Sequence, residues 1–147
     1  MEVVVDDVDV DVDDGPVPIG KGWAAATSLD WTKPLEEQIP TKVLSEIDFI
    51  VGCDCLWLKH MEDHLLNKIE RIFELSPNAK FLVTYQRRGY NSLFTTVESV
   101  LEEVKSRNWE YDCLAWRSIN CASDGDAPED GENDLFLIEI VPNRQQK

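Results

Sequence analysis

Positive charge is scarce in this sequence: 14 Lys and Arg stand against 29 Asp and Glu, a formal net charge of -15. Gripping a phosphate backbone needs clustered cations, so nucleic acid is not an expected partner. Long apolar runs are lacking too. None approaches the roughly 20 residues that span a bilayer. Met1 is followed by Glu2 and a run of Asp rather than by a basic then apolar leader, so neither a membrane nor a secretory route is expected. Cysteine is confined to Cys53, Cys55, Cys113 and Cys121, without the two-residue spacers and second pair of a zinc site. Free thiols in a cytoplasmic or nuclear setting are the default. Glycine is thin where it would matter for a nucleotide, since Gly15, Gly20 and Gly22 follow an acidic stretch and open no helix.

What is present suffices for one domain. A hydrophobic content of 43% over 147 residues supplies a core. Residues 1–22 read as an acidic Val/Asp-rich tail and linker, and 23–147 as the folded domain. In Met1 to Gly15 the apolar and acidic residues alternate, which suits an edge strand, while the repulsion among Asp6, Asp7, Asp9, Asp11, Asp13 and Asp14 suits a solvated tail. Gly15 to Lys33 reads as a loop, and Pro34 and Pro40 keep the structure after it short.

Regular patterning starts at Ile47. Ile47 to Gly52 is nearly all apolar and predicts a strand covered on both faces. Met61, Leu65, Ile69, Ile72 and Phe73 mark a helix that Ser76-Pro77-Asn78 stops. Lys80 to Tyr85 predicts a second strand. Leu93, Val97, Val100, Leu101 and Val104 predict a second helix ending near Asn108. Tyr111 to Ile119 and Leu135 to Val141 predict two more strands around the acidic loop Ser123 to Asn133. Alternating strands and helices imply an α/β fold with a parallel sheet. The last two strands lack a helix between them, so the final one should run antiparallel.

In open α/β sheets, ligands bind beyond the carboxyl ends of the strands. The first strand ends in Gly52-Cys53-Asp54-Cys55-Leu56-Trp57, which sets a carboxylate and an aromatic ring at that edge. The plainer reading has Asp54 capping the next helix or binding loop amides.

The segment from Asp48 to Trp57, followed by a helix and then Ala79 to Gly89, resembles the family-16, lysine methyltransferase-like enzymes that use S-adenosyl-L-methionine. Asp54-Cys55-Leu56-Trp57 is similar to that family's Asp-x-x-Tyr motif, with Trp in place of Tyr. Tyr85 with Arg87 or Arg88 resembles its next strand end, and Leu29-Asp30-Trp31 its Leu-Asp-Trp element. The likeness runs over roughly residues 27 to 143. It implies a Rossmann-like seven-strand fold of which this chain holds the C-terminal half, with transfer of a methyl group to protein lysine. Trp31 would then stack on the adenine, Cys53 would offer a backbone contact to the cofactor, and Asp54 and Trp57 would border the acceptor channel.

The Gly-rich turn and ribose-binding acid that such enzymes use are not found, so half the cofactor pocket is expected to be missing and the natural protein to be longer. The rival expectation is a non-catalytic remnant that acts by binding protein. A half-sheet exposes a buried-type edge strand, so self-association is expected as well. Other motifs fail. Asp9, Asp11 and Asp13 begin like a calcium loop, but Asp14 and Gly20 occupy the positions of its Gly and Glu. His60 and His64 have zinc-like spacing, but Met61 rather than Glu follows His60, so no metal is expected. Asp54 lacks the second carboxylate of a phosphatase.

Overall fold

The structure, a computed structural model, describes residues 16–87, 93–118 and 134–143. The Val/Asp segment, Arg88, Cys121 and the acidic loop lie outside the described residues. The chain divides into two compact units, Met1–Asp30 and Trp31–Lys147.

In the first unit, β1 (Val17–Ile19) pairs antiparallel with β2 (Gly22–Ala24), with Ile19 opposite Gly22. Gly20 turns the chain at φ +60, and no atom lies within 4 Å of where a Cβ would stand, so the dihedral angle and not space demands glycine. The sequence reads as loop here because three-residue strands are too short to show alternation, and Pro18 and Gly22 mask them.

The second unit opens with two short pieces, as the prolines predict. Pro34 precedes a 3-10 turn at Leu35–Glu37, and Pro40 precedes α1 (Thr41–Ser45). Then come β3 (Phe49–Cys53), α2 (Lys59–Leu75), β4 (Lys80–Gln86), α3 (Val97–Ser106), β5 (Trp109–Ser118) and β6 (Asp134–Pro142). Among the described residues this is a mixed α/β architecture with a four-stranded sheet in the order β3-β4-β6-β5. β3 and β4 are parallel, and β6 runs antiparallel to both its neighbours. The last strand therefore runs as expected, slotted between two strands that precede it in sequence.

Local chemistry sets the helix ends. The Ser76 hydroxyl donates to the Ile47 carbonyl at 2.8 Å, tying the end of α2 to the approach of β3. Thr96 caps α3 by accepting from the Ser99 amide at 3.1 Å. That cap leaves Leu93 outside the helix in which its spacing had placed it, 66% exposed.

The core lies on one side of the sheet. Phe81, Val83, Tyr85, Ile138 and Ile140 alternate along β4 and β6 and are buried, as are Leu66, Ile69, Phe73, Val100 and Val104 of the helices. Phe73 meets the Trp109 ring edge-on at 5.1 Å. The opposite side differs from expectation. β3 reads as covered on both faces, yet Phe49 and Val51 are 60% and 68% exposed. Leaving such side chains in water forgoes about 2 kcal/mol each. No described helix of the chain is long and apolar enough to cross a membrane.

Candidate functional site

The site begins at Gly52. A Cβ there would stand 2.7 Å from the Cys55 sulfur and 3.0 Å from the Phe81 ring, so only glycine lets the chain fold back at this point. Phe81 is fully buried and cannot give way. Two residues on, Asp54 adopts φ 53, a left-handed backbone that costs a non-glycine residue roughly 1 kcal/mol and is most tolerable for Asp or Asn. Its amide recovers part of that cost by donating to both the carbonyl and the hydroxyl of Thr84, at 3.2 and 3.1 Å. Thr84 faces Cys53 across the ladder, so Asp54 sits at the carboxyl ends of two parallel strands. Backbone strain held by surrounding structure is the kind that gathers at functional sites. Asp54 does not cap α2, whose N-cap is Leu58, without a side-chain cap.

The turn then dives inward. Leu56 is 1% exposed and anchors it, and burial pushes the Cys55 thiol above its ordinary range. Trp57 returns to the surface with its ring 6.2 Å from that of Phe94. The segments around these two rings are zipped together. Thr95 N donates to Trp57 O at 3.1 Å, Lys59 N to Leu93 O at 3.2 Å, and Leu58 bridges Phe94.

Beneath the zip lies a buried polar group, of which the motif reading named only Tyr85. The Thr95 hydroxyl donates to the Glu62 carboxylate at 3.2 Å, and the Tyr85 hydroxyl donates to the Thr95 carbonyl. Glu62, Tyr85 and Thr95 are all less than a tenth exposed. Desolvation pushes the Glu62 carboxyl up, and the Thr95 bond only partly offsets it. Desolvation also pushes the Tyr85 phenol up to about 12, so it stays neutral and donating. The signal was present in the sequence: Glu62 precedes Leu65, Leu66 and Ile69 by three, four and seven, the spacing of the buried stripe. Met61, assigned there instead, is only half-buried.

Of the residues singled out from the sequence, Cys53 ends β3 and is exposed, Asp54 follows it, and Trp57 stands in the segment before α2, against Phe94. Trp31 is half-buried in the turn before the 3-10 segment and belongs to no strand end. Arg87 pairs with Glu98 of α3 at 3.0 Å, a tie between β4 and the helix rather than a free anion site. Beside Thr84 an apolar hollow of about 200 Å³ is lined by Ala115, Leu135 and Leu137. No group of three or more His, Cys, Asp or Glu among the described residues is arranged to hold a metal.

The chain is thus an α/β protein with a strained Asp at the carboxyl ends of two parallel strands. Residues 7–108 match the model of the lysine methyltransferase family, and the chain belongs to that family. The match starts within the Val/Asp segment, upstream of the likeness read from the motifs. A comparison with curated proteins gave no match.

The family implies use of S-adenosyl-L-methionine. Cys53 ends β3 exposed and the Trp31 indole is half-buried, the two residues that the resemblance would set against it. They do not form a cradle. Gly20 lies in a hairpin turn, Gly22 starts β2 and Gly52 lies inside β3, so among the described residues no Gly-rich turn leads from a strand into a helix.

Proposed function

We propose that this chain forms the acceptor side of a protein lysine methyltransferase of the Rossmann-like, seven-strand type. In this reading Asp54 and Trp57 border the channel for the lysine side chain, Trp31 stacks on the adenine, and Cys53 offers a backbone contact. The antiparallel β6, inserted between β4 and β5, supports assignment to the second half of such a sheet. The observation that carries the proposal is Asp54, held in a left-handed backbone at the strand ends by Thr84.

The chemistry suits a lysine. Its ammonium, with a reference pKa of about 10.4, attracts a carboxylate and an indole face, so Asp54 and Trp57 orient it before it loses its proton. When bound, S-adenosyl-L-methionine supplies a methyl group on a positively charged sulfur. Holding the amine in line with that methyl contributes most of the rate. Trp57 has no phenolic hydroxyl, so it serves as a wall that excludes water. A net charge of -15 suits a basic acceptor protein. The division into an acidic tail and linker of residues 1–22 and a domain of 23–147 belongs to the same proposal, and limited proteolysis near residue 22 tests it.

A second reading, binding of protein without catalysis, is favoured by the exposed Phe49 and Val51 and by the lack of a cradle among the described residues. Calorimetric titration of the full chain with S-adenosyl-L-methionine separates the two. Methyltransferase function requires a binding signal that Trp31→Ala weakens strongly. No heat and no thermal shift at millimolar ligand would leave the binding reading standing, and unchanged affinity in Trp31→Ala would refute the adenine assignment.

A further inference from the structure

The Thr95 hydroxyl ties the zip that holds Trp57 to Glu62 of α2. We propose that Glu62 is a positioning residue, which through the Thr95 hydroxyl fixes where the Trp57 wall stands. The proposal rests on the reading of Trp57 as part of the acceptor channel.

Three observations carry it. First, Glu62 occupies a stripe position that Leu65, Leu66 and Ile69 otherwise fill with apolar side chains. A leucine would pack there without the desolvation that a buried carboxylate suffers. Second, its hydrogen-bond partner is Thr95, whose amide holds the Trp57 carbonyl and whose carbonyl accepts from Tyr85 at the end of β4. One residue thus joins the strand end, the helix and the wall. Third, the backbone links of the zip, Leu58 to Phe94 and Lys59 to Leu93, meet α2 at its N-cap and its exposed first residue. The Glu62–Thr95 bond fastens the pair to a buried helix face. The charges around Glu62 are Lys59 and Asp63 on α2, and Glu102 and Glu103 on α3, which line the same groove. Lys59 attracts its carboxylate, while Asp63 and Glu103 repel it, so the position is not a simple ion pair.

The test labels the full chain with 5-fluorotryptophan and follows the fluorine resonances of Trp23, Trp31, Trp57, Trp109 and Trp116, with Trp57→Phe assigning the one of interest. Glu62→Leu and Thr95→Val should each shift the Trp57 resonance and leave the Trp109 resonance in place. Glu62→Gln and Thr95→Ser, which keep an acceptor and a hydroxyl, should restore it. A folded Glu62→Leu with an unmoved Trp57 resonance overturns the proposal, and so does a Glu62→Gln shifted as far as Glu62→Leu. If Glu62→Leu does not fold, the smaller Thr95→Val change decides by the same criterion. These spectra need neither cofactor nor acceptor, so failure of the methyltransferase reading would be seen separately, as absence of turnover. Where turnover on a lysine peptide is measured, Thr95→Val should raise KM for the peptide about fivefold to tenfold with little change in kcat. An unchanged KM overturns the proposal.

Discussion

The amide of Asp54 divides its hydrogen between the carbonyl and the hydroxyl of Thr84, at 3.2 and 3.1 Å, on the neighbouring parallel strand. That double acceptance offsets the left-handed backbone at Asp54 and holds its amide at the carboxyl ends of β3 and β4. Asp54→Gly should therefore leave stability unchanged or slightly raised, while Asp54→Ala should lose about 1 kcal/mol in urea denaturation. Equal losses in both variants would show that the dihedral angle carries no strain.

Gly52 is the tightest point of the turn. Gly52→Ala would drive a methyl group to 2.7 Å from the Cys55 sulfur and 3.0 Å from the Phe81 ring. Overpacking of this kind costs about 1–3 kcal/mol. A near-neutral Gly52→Ala midpoint would contradict the close approach.

Glu62 gives stability a definite pH dependence. Its carboxyl is raised above the ordinary 4.5 by desolvation, so the folded chain holds that proton more tightly than the unfolded chain. Its burial penalty is absent below the unfolded value, grows as pH rises past 4.5, and is complete above the folded value. Glu62→Gln should thus gain in Tm relative to the native chain between pH 4 and neutrality. A constant difference across that range would place the carboxyl in water.

Phe49 and Val51 project from the same side of β3, which among the described residues has a strand neighbour only in β4. An apolar edge strand of this kind invites pairing with a second chain. Sedimentation velocity should show concentration-dependent association that Val51→Lys suppresses. A monomer at all concentrations would remove self-association from the account.

Much of the fold was legible because its signals are local and periodic. The run at Lys80 and the stripe through Leu65, Ile69 and Phe73 are dictated by burial in the core, while the run at Ile47 forms its strand although Phe49 and Val51 stay exposed. The position of Asp54 just past the first strand was legible because the apolar run from Ile47 to Gly52 marks that strand. Three features were not. The hairpin at Val17–Ala24 is too short for alternation to register. The start of α3 depends on the Thr96 cap, which overrides the spacing of Leu93. Thr95 was invisible because its role comes from Glu62 and Tyr85, 33 and 10 residues away in sequence.

The central claim is that the end of β3 receives a lysine acceptor, and methyl transfer tests it most directly. The full chain, incubated with S-adenosyl-L-methionine carrying a tritiated methyl group and a mixture of lysine-rich proteins, should place label on lysine. Asp54→Ala should abolish that incorporation while remaining folded. No incorporation by the native chain, or equal incorporation by Asp54→Ala, would contradict the account.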